Sequence, residues 1–337
     1  MASALNSLLI FVIAAAASAA MIAALKPLFA RYALAQPNAR SSHTRPTPQG
    51  GGIPAVSATI LAVLIGAAIA GTAASTAGAL WPLAAAVLLL ALTGACDDIF
   101  HLSVAPRFLA QFIAVGIVLA ALPAEARILP LLPWWIERAV LLVVGVYAVN
   151  VVNFMDGLDW MTVAEVVPVT AALWILSLMG ALTPVDAAVA VALLGAMIGF
   201  APFNRPVAKL FLGDVGSLPI GLMLFWLLLR LAADGHLIAA IMLPLYYVAD
   251  ATITLALRLA RRENVLRAHR THFYQRATEC GYSVAEVVTS VFFVNVALAF
   301  LTIMTIDRQS VEAQAFALAL GGAGVLAVLA RFARGKR

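Results

Sequence analysis

The sequence of 337 residues has few charged side chains: Lys, Arg, Asp and Glu together make up 11% of it. Soluble domains carry about 25% charged residues, so a large soluble domain is excluded. Cysteine is scarce as well, with Cys96 and Cys280 as the two in the chain. No sequence repeat of the kind that builds a two-half transporter is present. These absences point to a membrane protein with one domain.

Hydrophobic residues, in contrast, make up 64% of the chain. Apolar runs close to the roughly 20 residues that span a bilayer recur along its whole length. We therefore predict an all-α, polytopic membrane protein that forms a single transmembrane domain over residues 1–337. Its eleven predicted spans are 4–25, 53–72, 78–96, 107–122, 134–153, 160–179, 185–202, 217–233, 236–257, 284–305 and 312–331.

The distribution of basic residues predicts the orientation of these spans. With the N-terminus outside, 17 of the 21 Lys and Arg residues lie inside, as the positive-inside rule favours. Both cysteines then face the inside, where a disulfide is not expected. A basic inner face suits anionic membrane lipids or an anionic substrate, whereas nucleic acid is excluded because no basic–aromatic platform is present. The main inner loops are 26–52, 97–107, 153–160, 203–217 and 258–283.

Two adjacent acids end the third span, in the segment GACDDIFHLSVAPR. Asp97 and Asp98 point about 100° apart on a helix, and at its C-terminus they oppose the helix dipole. A metal or another cation would offset their repulsion, and His101 can contact either acid. A solvated helix end is the alternative.

The segment NFMDGLDW after the fifth span carries a second polar group. Asn153, Asp156 and Asp159 recur every three residues, and Gly157 permits a turn among them. Such hard oxygen ligands suit Mg²⁺, or the hydroxyl and imide groups of a nucleoside. The segment contains no Lys or Arg, so its acids need a bound metal or donor to balance them.

Three further inner loops carry unusual residues, and for the first of them, the glycine loop, a flexible linker is the alternative. Consecutive glycines in TPQGGG, at 50–52, allow positive φ angles and close backbone approach. The turn GDVGS, at 213–217, can direct amides at an anion at the start of a helix, unless Asp214 or Ser217 only caps that helix. His269, Arg270 and His272 supply donors for phosphate oxygens. Five aspartates that face one basic loop predict a Mg²⁺-and-phosphate site.

Two features outside these loops stay open. Asp250 lies roughly 12 Å below the inner end of its span, at 1.5 Å per residue. An ionisable residue at that depth is functional by default, although it can instead orient loop residues. Gly195 and Gly199 form a GxxxG motif that packs helices within the chain or between chains. We favour packing within the chain, and a homodimer stays open.

The motifs GACDDIF, NFMDGLD, KLFLGDVGS and HRTHFYQ, with the loop SSHTRPTPQGGG, resemble the polyprenyl-phosphate N-acetylhexosamine-1-phosphate transferases. That family includes phospho-MurNAc-pentapeptide translocase and the transferases that start O-antigen synthesis. The resemblance implies that a lipid phosphate attacks the β-phosphorus of a UDP-sugar and UMP leaves. It further implies Mg²⁺, for which Mn²⁺ can substitute, a UDP-N-acetylhexosamine and undecaprenyl phosphate as substrates, and a cytoplasmic active face in the bacterial inner membrane.

The same resemblance implies roles for the polar side chains. Asp214 and Asn153 would ligate Mg²⁺. Asp97 would act as the base toward the lipid phosphate, with Asp98 beside it as base or metal partner. The other residues expected in the catalytic set are Asp156, His269 and His272.

Six residues are expected to bind the substrates: Arg45, Arg107, Asp159, Lys209, Phe211 and Arg270. Asp159 and Phe211 match family positions that hold and stack uracil, and Arg45 matches a basic position near the nucleotide. Arg270 belongs, with the two histidines, to the loop that binds pyrophosphate and sugar.

Two departures from the family pattern affect the expected substrate and one turn. The translocase has three consecutive histidines in this loop. Here the loop has two histidines, His269 and His272, with Arg270 and Thr271 between them. That argues against a muramyl-pentapeptide donor and resembles the O-antigen branch that uses N-acetylfucosamine or N-acetylquinovosamine. Asp159 is followed by Trp160, where many relatives have a second glycine, so the shape of this turn does not carry over.

Three other classes of membrane protein fit the sequence less well. An intramembrane prenyltransferase uses aspartates at i and i+4 on helices, and it leaves GDVGS and the histidines unexplained. Alcohol-phosphatidyl transferases need one long acidic motif that this sequence lacks. A transporter or flippase predicts ionisable residues near the bilayer midplane, for which Asp250 is the one good candidate.

Overall fold

The computed structural model describes residues 2–35, 46–265, 269–306 and 310–336. Within these ranges thirteen α-helices and a two-stranded antiparallel sheet form the protein. The helices are α1 (Ala2–Tyr32), α2 (Gly52–Ile69), α3 (Ala73–Phe100), α4 (Val104–Ala120), α5 (Trp134–Met155), α6 (Met161–Leu178), α7 (Pro184–Phe200), α8 (Asp214–Ala233), α9 (Leu237–Met242), α10 (Leu245–Ala260), α11 (Phe273–Glu279), α12 (Val284–Thr305) and α13 (Val311–Arg334). The strands are β1 (Leu34–Ala35) and β2 (Thr47–Pro48).

Eight of the described helices are long and apolar enough to cross a membrane: α1, α2, α3, α5, α6, α8, α12 and α13. The apolar helices α4 and α7 are slightly shorter, with 17 residues each. The predicted ninth span, 236–257, is divided into α9 and α10 around Pro244, which has no backbone N–H to continue the first helix. The all-α, polytopic fold predicted from the sequence is confirmed.

Helix α8 lies at the centre of the bundle, with nearly all of its side chains from Val215 to Leu229 buried. It packs against α3 and α5, and its first turn approaches α2. A Cβ atom on Gly52 would overlap the backbone of Gly216. The prediction that the 50–52 glycines allow close backbone approach is therefore confirmed, and Gly50 also has the predicted positive φ, at 114°.

The GxxxG motif joins two helices of the same chain. Gly195 and Gly199 on α7 face the backbone of α1, where a Cβ atom on either would overlap the carbonyl oxygen of Phe11 or Ala15. Small residues at such a contact let two membrane helices approach closely. The preference for packing within the chain is confirmed.

The polar ends of several helices meet at one end of the bundle, here called the site end. The C-termini of α3 and α5 and the N-termini of α4, α8 and α11 all lie there. Two backbone bonds attach the glycine segment to the start of α8: Gly51 N–H donates to Phe211 O and Gly52 N–H to Leu212 O, each over 2.9 Å. The predicted inner loops thus assemble at one end of the protein.

Candidate active site

Helix α3 continues through Phe100, so Asp97 and Asp98 lie in its last turn rather than in a loop. His101 ends the helix with a left-handed φ of 55°. Its side chain is exposed, and its Nδ1 lies 3.3 Å from the backbone carbonyl oxygen of Asp97. The structure therefore shows a helix-terminal residue there and no contact of that ring with either carboxylate.

Arg107, near the start of α4, joins two carboxylates. Its guanidinium lies 2.9 Å from an Asp97 oxygen and 3.5 Å from an Asp214 oxygen. Arg107 therefore balances part of the negative charge that α3 and α8 bring together.

Asp98 has a different environment from its neighbour. Its two carboxylate oxygens accept the backbone N–H groups of Asp214, at 3.0 Å, and Val215, at 3.1 Å. The amides of the GDVGS turn do bind an anion, and that anion is a side chain of this protein. Asp98 thus fixes the start of α8, where the helix dipole favours negative charge.

Asn153 lies in the last turn of α5 and contacts the first turn of α8. Its Nδ2 donates to Asp214 Oδ1 over 2.8 Å and to Ser217 Oγ over 2.9 Å. The two residues expected to ligate Mg²⁺ are therefore brought side by side.

Asp156 follows α5 directly and accepts a hydrogen bond from the hydroxyl of Thr162 on α6. Loss of water contact, with smaller contributions from the nearby carboxylates of Asp98 and Asp159, raises the pKa of Asp156 to about 7, although the bond from Thr162 acts in the opposite direction. A carboxyl group with such a pKa can exchange a proton near neutral pH.

The turn after Asp159 has the shape that a glycine would permit. Trp160 has a φ of 64°, in the left-handed region, and its backbone N–H donates to Asn204 Oδ1 over 2.7 Å. Its indole N–H also donates, over 2.6 Å, to the carbonyl oxygen of Ala201. Asp159 Oδ2 accepts the backbone N–H of Ala208 over 2.9 Å. These bonds tie the 153–160 segment to the loop that leads into α8.

The remaining substrate-binding candidates lie in or beside that loop. Phe211 is half-buried and forms a bridge with Gln49, and its backbone N–H donates to Pro48 O over 2.8 Å. Lys209 is exposed. Arg45 falls outside the described residues.

The histidine loop, residues 269–272, packs beside the end of α5. The rings of His269 and His272 stack 4.8 Å apart, and His272 also stacks on Phe154 at 6.2 Å. Burial lowers the pKa of His269 to about 4, with His272 and Arg258 as smaller causes. His269 is therefore a neutral hydrogen-bonding group at neutral pH, and its Nδ1 lies 2.9 Å from the Thr271 hydroxyl.

Arg270 stands beside the two histidines and is partly exposed. Its Nε lies 3.7 Å from a Glu279 oxygen on α11. That distance exceeds a hydrogen bond, so this exposed pair holds the guanidinium weakly.

Asp250, on α10, orients this loop. Its carboxylate is fully buried and accepts the backbone N–H groups of Phe273, at 3.0 Å, and Tyr274, at 3.1 Å, at the start of α11. His272 Nδ1 lies 3.4 Å from the same carboxylate. The sequence left two roles open for Asp250, a direct functional role or the orientation of loop residues. These contacts are those of a residue that orients the loop.

Gly157 is needed for packing rather than for its backbone angles. A Cβ atom there would overlap the hydroxyl of Tyr274, which donates to Phe154 O over 2.8 Å. The absence of a side chain lets α11, and with it the histidine loop, approach the acidic segment.

The donor set at Asp97, Asn153 and Asp214 fits a hard cation. Among the described residues no three His, Cys, Asp or Glu side chains are close enough to hold a metal by themselves. Mg²⁺ typically takes one or two carboxylates and fills its remaining positions with water and substrate phosphates. Two carboxylates with one amide oxygen match that pattern.

Sequence reasoning missed three polar residues that contact the site segments, Gln49, Thr162 and Asn204, and one buried amide pair farther inside the bundle, Gln111 and Asn150. Gln49 donates to the Asp98 carbonyl oxygen over 3.3 Å, and Gln111 pairs with Asn150 inside the bundle. A polar residue inside an apolar span is a usable signal, and it would have identified Gln111 and Asn150. No comparable signal marks Asn204, since polar residues are ordinary in loops.

Comparisons with known proteins agree with this geometry. Residues 80–232 match the glycosyl transferase family 4. A probable undecaprenyl-phosphate N-acetylglucosaminyl 1-phosphate transferase of Bacillus subtilis is 25% identical over 278 residues, which cover 78% of this chain and 74% of the relative. A decaprenyl-phosphate N-acetylglucosaminephosphotransferase of Mycolicibacterium smegmatis is 32% identical over 213 residues, 57% of this chain and 52% of the relative.

A third relative carries a different name. The phospho-N-acetylmuramoyl-pentapeptide-transferase of Limosilactobacillus fermentum is 31% identical over 159 residues, which cover 47% of this chain and 48% of the relative. The family match extends from α3 to α8 and so contains Asp97, Asp98, Asp156, Asp159 and Asp214, whereas Asp250 and the histidine loop lie beyond it. Motifs and comparisons agree, and the chain is similar, over residues 80–232, to the glycosyl transferase family 4.

Proposed function

We propose that this protein transfers an N-acetylhexosamine-1-phosphate from a UDP-sugar to undecaprenyl phosphate or a similar polyprenyl phosphate, with release of UMP. The observation that carries the proposal is the convergence of Asp97, Asn153, Asp214 and Arg107 beside the histidine loop, at one end of a membrane bundle. The relatives named for transfer of N-acetylglucosamine phosphate to undecaprenyl or decaprenyl phosphate support it.

The proposed step is a substitution at phosphorus. An oxygen of the lipid phosphate forms a bond to the β-phosphorus of the UDP-sugar. The bond from that phosphorus to the oxygen shared with the α-phosphate breaks, and UMP leaves with its electron pair. Both reactants are anions, so the protein has to align them and neutralise their charge.

Different residues of the site can supply this alignment and charge neutralisation. Arg107 offers a cation between α3 and α8, and Asp97 offers a carboxylate toward the lipid phosphate. Asp214 and Asn153 would hold Mg²⁺, which when bound neutralises charge on the diphosphate. The guanidinium of Arg270 can make two parallel bonds to a diphosphate.

The loop sequence favours a compact donor sugar. Thr271 is exposed and stands where the translocase pattern has a histidine, and its hydroxyl contacts His269. A small neutral group there suits an N-acetylhexosamine, including 6-deoxy sugars of the kind that start O-antigen or related envelope polysaccharides. The alternative donor carries a muramyl pentapeptide, and the L. fermentum relative is the observation in its favour.

An exchange assay with purified protein tests both proposals. Labelled UMP is added together with the polyprenyl diphosphate-sugar product, or with polyprenyl phosphate and one UDP-sugar at a time. We expect label to enter UDP-N-acetylhexosamines only when the lipid and Mg²⁺ are present. Failure with all donors would reject the transferase, and efficient use of UDP-MurNAc-pentapeptide would replace the O-antigen-type proposal.

We further propose that the site end faces the cytoplasm of a bacterial inner membrane, as the distribution of basic residues favours. Arg205 is exposed at the site end, and Glu125 is exposed in the loop before α5 at the opposite end. Cysteines introduced there, in a protein whose Cys96 and Cys280 are replaced by alanine, should react with an impermeant reagent from opposite sides. Labelling of Arg205→Cys by the impermeant reagent in intact cells would show that the site end faces the outside, opposite to this proposal.

A further inference from the structure

Two buried amides face each other inside the bundle and belong to none of the roles assigned above. Gln111 on α4 is 0% exposed and Asn150 on α5 is 5% exposed. Asn150 Nδ2 donates to Gln111 Oε1 over 2.6 Å, and Gln111 Nε2 donates to Asn150 Oδ1 over 3.3 Å. Asn150 Nδ2 also donates to Val146 O, one turn earlier, over 2.8 Å. The pair forms reciprocal hydrogen bonds between neighbouring helices.

The surroundings of this pair are apolar. Ala114 and Val115 on α4 and Val146 and Val149 on α5 are all buried. An amide that loses its partner in such a place finds no water to replace it. Sliding α4 along α5 by one residue, about 1.5 Å, would break both bonds. The pair therefore fixes the axial position of one helix against the other.

The amides lie one turn deeper in the bundle than the site. Arg107 precedes Gln111 by four residues and Asn153 follows Asn150 by three, so each amide shares a helix face with a site residue. Arg107 contacts Asp97 and Asp214, and Asn153 contacts Asp214. The axial position of α4 relative to α5 thus decides where Arg107 stands relative to Asn153 and Asp214.

We propose that Gln111 and Asn150 are positioning residues for the transfer reaction. Their paired amides keep α4 in the register that leaves Arg107 within reach of both Asp97 and Asp214. This inference rests on the proposed function only for the reaction it names, because the register itself is a property of the free protein. A misplacement of about 1 Å can lower a rate by roughly 10²-fold, so a small slip of α4 is sufficient.

Steady-state kinetics give the first test. Gln111→Met keeps the length of the side chain and removes the amide. We expect its kcat to fall about tenfold while KM for the UDP-sugar changes by less than about twofold. The exchanged pair Gln111→Asn with Asn150→Gln should recover at least about half of the lost rate. No recovery, or a loss confined to KM, would overturn the proposal.

A double-mutant cycle with Arg107 separates positioning from general loosening. In an Arg107→Ala background the amide has no guanidinium left to position. Gln111→Met should then lower kcat by less than about twofold, because the two effects are coupled. Equal fold losses in both backgrounds would show that Gln111 acts independently of Arg107, which contradicts the inference.

Thermal unfolding of the purified protein without substrates gives a readout that needs no activity. Gln111→Met and Arg107→Ala should each lower Tm, and the double variant should lower it by less than the two shifts together. If the shifts in Tm are coupled but the protein transfers no sugar phosphate, the proposed function is rejected. The inference that the amide pair fixes the register of α4 then still stands. Additive shifts in Tm would reject the register itself.

Asn295 on α12 provides a matched control. It is also a buried amide, and it donates to Ala164 O and Glu165 Oε2 on α6 over 3.0 and 2.6 Å. Asn295→Leu should lower Tm, leave kcat within about twofold, and add to the effect of Arg107→Ala. Coupling of equal size at Asn295 would mean that any lost interhelical amide has this effect, and the proposal would fall.

Discussion

The buried carboxylates at the two ends of the bundle have different partners. At the end opposite the site, the described buried acids are Glu137 and Asp186, and each meets an arginine. Glu137 accepts from Arg127 and from the backbone N–H groups of Ile128 and Leu129. Asp186 accepts from Thr183, Trp226 and Arg230 over 2.6 to 3.0 Å.

At the site end, Asp156 meets the hydroxyl of Thr162, and five other acids meet backbone amides or share a cation. Asp98, Asp159 and Asp250 each accept backbone N–H groups, whereas Asp97 and Asp214 share Arg107. Amides hold a carboxylate in place without cancelling its charge. The acids of one end are therefore paired with arginines of the same protein. At the other end burial raises the pKa of Asp156, and a bound cation would favour the charged forms of the acids there.

Removal of Asp214 should have the largest effect on activity. Asp214→Ala takes away one of the two partners of Asn153 and of Arg107, and we expect transfer to fall by at least about 10³-fold. Asp186→Asn at the opposite end should lower Tm and leave the rate within about twofold. The measurement is the initial rate of transfer at saturating Mg²⁺. Near-normal activity of Asp214→Ala would show that the GDVGS turn is not part of the metal site.

The next largest effect is expected at Asp97. Asp97→Asn keeps the size of the side chain and removes its charge and basicity, so we expect a loss of at least about 10²-fold in kcat. Rates measured over a range of Mg²⁺ concentrations distinguish its roles. A variant that reaches the normal maximal rate but needs a higher Mg²⁺ concentration to do so would make Asp97 a metal partner instead of a base.

A smaller effect is expected at Asp250, which holds the histidine loop from below. Asp250→Asn replaces one acceptor oxygen by an N–H donor that faces the amide of Phe273 or Tyr274. Hydrogen exchange of those two amides should accelerate about tenfold or more, and transfer should slow by a similar factor. Asp186→Asn is the control, since it should leave this exchange unchanged. Unaltered exchange in Asp250→Asn would mean that other contacts hold the loop.

The smallest effect concerns pH. The fold lowers the pKa of His269 from 6.5 to about 4, so the unfolded chain takes up this proton first as the pH falls. The resulting stabilisation is complete above about pH 6.5 and is lost between 6.5 and 4. Buried acids with a raised pKa, such as Asp156, stabilise the fold as the pH falls through the same window. The effect of His269 is therefore measured against a variant: the Tm of the unmodified protein, relative to that of His269→Gln, should fall by about a few degrees from pH 6.5 to 4. Equal slopes would show that His269 titrates normally.

The fold was predictable from the sequence because bilayer thickness dictates the length of apolar runs. The orientation of the loops then grouped GACDDIF, NFMDGLD, GDVGS and the histidines, and the structure does bring them together. The extension of α3 to Phe100 escaped prediction, because Asp97 and Asp98 end the apolar pattern before the helix ends. Pro244 is the signal that could have identified the division of the ninth span.

The partners of the site residues were not predictable in the same way. That Asp98 binds the amides of α8 depends on packing between segments more than a hundred residues apart, which no local pattern records. The left-handed φ of Trp160 depends likewise on the side chain of Asn204. Such contacts follow from the assembled bundle, whereas composition and spacing determine only which residues reach the same end.

The bond between Asp98 and the start of α8 also bears on how the protein is made. The two residues that it joins, Asp98 and Asp214, are 116 positions apart, and synthesis proceeds from the N-terminus. The acidic end of α3 therefore enters the membrane well before its partner helix exists. Until α8 arrives, those carboxylates have water, ions and α4 to balance them, so the polar end of the protein is completed late in biogenesis.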